Sequence, residues 1–181
     1  MPLQVHQFPC LSDNYGFLLH DPGSGETAAI DTPDGAEYLK QAEAKGWTIT
    51  QIWNTHWHPD HAGGNVALKR RYDCLVRGPE QAAIPARDLT MTGGDAFEFA
   101  GHGVDVIHTP GHTDEHIIYH IPSADIAFVG DTIFALGCGR LFEGTPEEMW
   151  ESLSKIMALP DATKLYCAHE YTLSNAKFAV S

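Results

Sequence analysis

The stretch ITQIWNTHWHPDHAGGN, residues 49–65, places His56, His58, Asp60 and His61 within six positions, directly after an apolar run. Neutral imidazoles and a carboxylate are nitrogen and oxygen donors, and so dense a group of them is a metal-binding pattern. In extended backbone, residues two apart point the same way, so His56 and His58 can converge on one ion. Pro59 then forces a turn that aims Asp60 and His61 elsewhere, at a second ion. The competing reading is a solvated polar loop. It gives no reason for three imidazoles at such spacing.

A site for two ions needs more ligands, and the chain offers them after other apolar runs. VIHTPGHTDEH supplies His108, His112 and His116; IAFVGDT ends in the 131–132 pair with Asp131; LYCAHEY carries His169. His112 lies in a Pro-Gly-His-Thr turn, the setting of a ligand at a strand end. Asp131 could bridge two cations. His108 and His116 read better as structural residues or partners of ligands, since a bound histidine needs a contact for its other nitrogen. His6, His20, His102 and His120 read as surface or strand positions. Cys138 has no evident helper base, so it reads as a packing or loop residue rather than a nucleophile. With no cysteine among the donors, the set suits zinc, with iron or manganese as alternatives.

The elements that must position these groups are short. Strands are predicted at 3–6, 15–20, 27–30, 49–54, 75–77, 96–99, 104–108, 117–121, 126–129 and 164–167, from apolar or alternating runs bounded by Gly, Pro and Asp. A helix over 36–45 ends at Gly46, and another over 64–72 follows the histidine cluster. TPEEMWESLSKIMALP opens with Thr145 as cap, Pro146 in the first turn and Glu148 three residues on, and stops before Pro160. A last helix starts near Leu173. Strands and helices intermix along the whole chain, which points to layered α/β with mixed sheets.

The 181 residues suit one domain, and 43% hydrophobic content is enough for a core. The 11 basic and 24 acidic residues give a net charge of −13, which disfavours nucleic acid and anionic membranes as partners. The four cysteines (Cys10, Cys74, Cys138 and Cys167) form no CxxC pair and fit a reducing compartment. The first residues have neither a basic start nor an apolar core of signal-peptide length, and no run approaches transmembrane length. The expectation is a cytoplasmic monomer.

THWHPDH, PGHT, GDT and HEY, in this order, resemble the metallo-β-lactamase superfamily. GCGRLFEGTPEEM, CAHEYTLSNAKFA and LSDNYGFLL are similar to the glyoxalase II, or hydroxyacylglutathione hydrolase, branch. The resemblance implies an αββα sandwich of two mixed sheets flanked by helices, with two divalent ions at one sheet edge. It implies one ion held by His56, His58, His112 and Asp131, and the other by Asp60, His61, His169 and the shared Asp131. Substrate contacts would fall on Arg140, Phe142 and Tyr171; family members often have tyrosine where this chain has Phe142. The implied activity is hydrolysis of a small-molecule glutathione thioester, S-(2-hydroxyacyl)glutathione. The attacking hydroxide would be shared by the two cations and held at Asp131, with Asp60 as proton acceptor. The resemblance divides the chain into a catalytic domain over 1–172 and, over 173–181, the start of a C-terminal helical region that is truncated or absent. Rival readings on the same fold are a single-iron persulfide dioxygenase and a β-lactamase. GRLFEG lacks the Asp-Phe pair of the former. A third reading is a metal-binding module that no longer turns substrate over.

Overall fold

The computed structural model describes residues 2–80 and 83–181. Two mixed sheets pack face to face. The first runs β1 (Gln4–Cys10), β2 (Asn14–His20), β3 (Thr27–Ile30), β4 (Gln51–Trp53), β5 (Leu75–Pro79) and β6 (Leu89–Met91), antiparallel from β1 to β3 and parallel from β3 to β6. The second is built from β7 (Ala96–Phe99), β8 (His102–His108), β9 (Ile117–Ile121) and β10 (Ile126–Gly130). After a short hairpin of β11 (Ile133–Phe134) and β12 (Gly137–Cys138), β13 (Lys164–Cys167) joins its edge parallel to β10. The order in that sheet is β13-β10-β9-β8-β7.

Period-2 alternation sorts the side chains into three apolar layers. Phe17, Ile30, Trp53, Val106, Tyr119 and Phe128 meet between the sheets. Their strand neighbours Leu18, Ala29, Ile52 and Val76 point the other way, where Tyr38 and Ala42 of α1 (Gly35–Lys45) and Leu68 of α3 (Asn65–Tyr72) cover them. On the outer face of the second sheet, Ile118, Ala127 and Val129 pack with Ile156 of α4 (Pro146–Met157). The layering is αββα, as the resemblance implies.

The helix ends follow their sequence signals. Gly46 closes α1 in a left-handed conformation, φ 69°. Thr145 and Glu148 form the capping box of α4. The last helix, α5 (Thr172–Ala179), buries none of its residues. Between β4 and α3 the expected turn after His58 is itself helical: Pro59 is the first residue of the one-turn α2 (Pro59–Ala62), with His58 at its cap. Pro is well placed there, because its fixed φ suits a first turn and its missing N–H is not needed. Gly64 lets the start of α3 meet the start of α1; a Cβ there would lie 2.7 Å from the Gly35 nitrogen. No helix among the described residues is long and apolar enough to cross a membrane.

Helix α4 also braces the 108–113 loop. Ser152 Oγ donates to the Pro110 carbonyl at 2.7 Å and Lys155 Nζ to that of His108 at 2.7 Å. Thr145→Ala removes the cap and is expected to cost about 1 kcal/mol of unfolding free energy. Urea denaturation checks this; an unchanged midpoint would mean the capping box carries no stability.

Candidate metal centre

Five chain segments leave their strands at one edge of the sandwich and bring donors together there. Residues 54–61 follow β4, Asp31 follows β3, the 109–116 loop follows β8, Asp131 follows β10 and His169 follows β13. The seven ligands expected from the sequence form one continuous cluster. His56 Nε2 lies 2.9 Å from His58 Nδ1, which lies 3.1 Å from His112 Nε2. His112 Nε2 is 3.2 Å from Asp131 Oδ2. Asp131 Oδ1 is 3.4 Å from His61 Nε2 and 3.3 Å from His169 Nε2, and Asp60 Oδ2 is 3.5 Å from both of those nitrogens. Three donor sets are compact enough for an ion: His56–His58–His112, Asp60–His61–His169 and His56–His61–Asp131.

The outer nitrogens fix which atoms face inward. His112 Nδ1 donates to the Arg140 carbonyl at 2.8 Å. His61 Nδ1 donates to Asp31 Oδ2 at 2.9 Å, and His169 Nδ1 to Asp13 Oδ1 at 2.8 Å. Thr55 spends its hydroxyl proton on Asp31 Oδ2 at 2.9 Å, so His56 Nδ1 donates to Thr55 Oγ1 at 3.1 Å. In neutral rings this leaves four Nε2 lone pairs pointing inward. In that state the cluster presents lone pairs to lone pairs, and Asp131 Oδ1 is buried with no aligned donor. Such groups fit a cation: their mutual repulsion becomes shared attraction to one positive charge.

The protonation preferences favour neutral rings at His56, His58 and His112, and a held proton at His61 and His169, where carboxylates outweigh burial. Burial, and then the neighbouring imidazoles, push His56 well below the ordinary histidine range. Burial likewise lowers His58 and His112. His61 runs the other way: burial opposes its charge, but the carboxylates of Asp131, Asp31 and Asp60 outweigh it and raise it to about 9. Asp131 is the other half of that interaction. Burial would raise it, yet His61, His169 and His112 hold it well below the usual carboxylate range.

The cluster opens into a cavity of about 480 Å³, whose wall includes Phe134, Arg140, Phe142 and Tyr171. Phe142 stands steeply inclined to the His58 and His112 rings, at 5.4 and 5.3 Å between centroids. Tyr171 stacks flat on His169 at 4.9 Å, and burial raises its hydroxyl to about 12. The Arg140 guanidinium stands exposed, 5.7 Å from the Phe142 ring.

The two histidines that flank the third ligand separate. His108 is exposed and binds the Asp114 carbonyl at 2.7 Å, a loop brace. His116 is fully buried against His56. Sequence reasoning did not single out Asp31, Asp13, Asn14 or Thr55. Asp31 follows an apolar strand just as Asp131 does, which was the available signal. It sits in the left-handed region, φ 49°, and accepts the Thr55 N–H at 2.8 Å as well. Asn14 Nδ2 holds Asp60 through both its carbonyl and its carboxylate, at 3.1 and 3.2 Å.

The sequence model of a family described as the metallo-beta-lactamase superfamily matches residues 14–169. A hydroxyacylglutathione hydrolase of Erythrobacter litoralis is 63% identical over 98% of this chain and 71% of its own length. One from Hyphomonas neptunium is 60% identical over 99% of the chain and 71% of its length. Among solved structures, that of ETHE1 from Myxococcus xanthus superposes with a TM-score of 0.82 at 28% identity, over 94% of this chain and 76% of that one.

A raised histidine stabilises the fold below its unfolded pKa of about 6.5, and that stability is lost as pH rises through the folded value. The metal-free chain, prepared with a chelator, should therefore melt at progressively lower temperature from about pH 6.5 to about 9. A melting temperature that stays level or rises over that window would refute the charged state assigned to His61.

Proposed function

The chain belongs to the metallo-beta-lactamase superfamily and, within it, to the hydroxyacylglutathione hydrolases; on that premise we propose that its metal centre hydrolyses S-(2-hydroxyacyl)glutathione, such as S-D-lactoylglutathione, to glutathione and a 2-hydroxy acid. The observation that carries this reading is the single cluster of seven nitrogen and oxygen donors at the mouth of a cavity. We assign one divalent ion to His56, His58, His112 and Asp131, and a second to Asp60, His61, His169 and the shared Asp131. The donors suit zinc, and iron or manganese would also be accepted. Bound there, the cations would lower the pKa of water toward neutrality and polarise the thioester carbonyl.

The chain's own groups supply the rest. The oxygen of the attacking water bonds to the carbonyl carbon, and its proton passes to a base. Asp60 is assigned that role: its carboxylate is 40% exposed, at the cavity wall, and steadied by Asn14. The carbon–sulfur bond then breaks, sulfur leaves as thiolate, and the proton returns to it directly or through solvent. No protein nucleophile is needed. Arg140 offers a cation to a carboxylate of the peptide part, and the Tyr171 hydroxyl offers it a hydrogen bond. Phe142 presents only an apolar edge.

Metal content and S-D-lactoylglutathione turnover, measured on one purified sample, test the reading together. The expected result is about two metals per chain with hydrolysis. Asp131→Ala should lower turnover by more than about 100-fold, beyond what loss of an outer partner costs. One iron per chain without hydrolysis would favour the dioxygenase chemistry instead. Arg140→Ala removes one charge-assisted contact, worth about 1.5–3 kcal/mol. Its KM should rise about tenfold or more with kcat nearly unchanged; a loss confined to kcat would reject the contact.

A further inference from the structure

His116 belongs to none of the donor sets, yet it is fully buried in the middle of them. Its backbone ties two strand ends together: its carbonyl accepts the Thr109 N–H at 2.8 Å, and the next residue's N–H reaches the Thr55 carbonyl at 3.0 Å. Its ring faces a third. The Asp131 backbone N–H points at His116 Nε2 from 3.1 Å. On the other side, Nδ1 lies 3.0 Å from Thr109 Oγ1 and 3.2 Å from Thr132 Oγ1, with the two hydroxyls 2.9 Å apart.

A backbone N–H can only donate, so Nε2 must carry a lone pair. The proton therefore sits on Nδ1 and goes to the threonine pair. An imidazolium would set N–H against N–H.

The backbone at Asp131 requires such a partner. The β10–β13 pairing shifts register between Phe128 and Gly130 and ends at Gly130, so the Asp131 N–H lies beyond the ladder. Gly130 is left-handed, φ 49°, and a Cβ on it would lie 2.7 Å from His116 Nε2 and 2.6 Å from Thr55 Oγ1. The strand end is thus seated directly on the imidazole. Without that acceptor, a buried N–H would go unpaired next to the carboxylate assigned to both ions.

We propose that His116 is a positioning residue: as the Nδ1–H tautomer, fixed by Thr109 and Thr132, it accepts the Asp131 N–H and so sets the direction of the carboxylate shared by the two metals. This rests on the assignment of Asp131 as a shared ligand. Asp31 and Asp13 orient imidazoles; here an imidazole orients a carboxylate, through the main chain.

Two variants separate the acceptor from the ring. Gln Oε1 reaches as far as Nε2 and can replace the acceptor, whereas Asn reaches only the Nδ1 position. Zinc affinity measured by chelator competition should fall about 10–100-fold in His116→Asn and be largely kept in His116→Gln. Without metal, His116→Asn should also melt lower than His116→Gln, because only it leaves the Asp131 N–H unpaired; a purely structural role would give that difference without splitting the zinc affinities of the folded variants. Equal losses, or no loss in either, overturn the proposal. Where a variant does not fold, nitrogen NMR of the unaltered metal-loaded protein decides: a bare Nε2 with protonated Nδ1 supports the bracket, and an Nε2–H rules it out. Asp131→Ala is the control. If it keeps full metal content, the metal assignment fails; if it loses metal while His116→Asn does not, only the positioning role fails.

Discussion

The structure depends on one buried carboxylate. Asp131 is almost fully enclosed at the end of β10, and an ionised carboxylate there is costly unless positive charge surrounds it. Every neighbouring element contributes to that end. His61, His112 and His169 approach it from three segments that share no sequence proximity. Without metal, the carboxylates of Asp131, Asp31 and Asp60 raise the affinity of His61 for a proton. On the proposed assignment, the Asp131 carboxylate and the bare nitrogens would serve as ligands, and binding would exchange a proton for a cation.

Around this centre, polar partners choose the tautomers of four imidazoles. Asp31, Asp13, Thr55 and the Arg140 carbonyl each take the outer proton of one imidazole. Each such bond turns a ring that could present either nitrogen into one that presents a lone pair inward. These partners are themselves held by strand pairing. Asp31 reaches both Thr55 and His61 only because β3 and β4 run parallel and end level, with the Asp31 N–H on the Trp53 carbonyl at 2.9 Å. Sheet register therefore acts directly on ligand geometry, and the sandwich functions as the frame that holds proton positions.

The same dependence explains what the sequence reveals. The donors themselves are legible, because each follows an apolar run and carries a ligand-type side chain. The long strands and the capped helix α4 are legible too, since periodicity and cap chemistry are local. Their partners are not. Asp13 and Asp31 look like ordinary loop acids until the strands beside them are known, and Asn14 helps hold Asp60 across 46 positions of chain. His108 and His116 bracket the same loop with the same residue type; only tertiary burial makes one a surface brace and the other a buried bracket. The strand Leu89–Met91, mostly exposed, and the two-residue strands β11 and β12 have too little pattern to declare themselves.

The donors assigned to the ions and the proposed substrate contacts sit on different parts of this frame. The donors come from strand ends and from the short α2, held by hydrogen bonds with buried or half-buried partners. Arg140 and Phe142 come from the loop after β12, and Tyr171 from the entry to α5, where side chains are half or wholly exposed. The two sets meet at only a few points: the Arg140 carbonyl on His112, the Phe142 ring against His58 and His112, and Tyr171 stacked on His169. Each of these joins a substrate-side residue to a ligand through backbone or through a ring face, so changing the head group of Arg140 leaves the His112 tautomer as it was. On the proposed reading, affinity for the thiol portion can therefore vary along that loop and α5 without altering the donors assigned to the ions. Phe142 then brings to this grip a ring without a hydroxyl, in contact with both imidazoles.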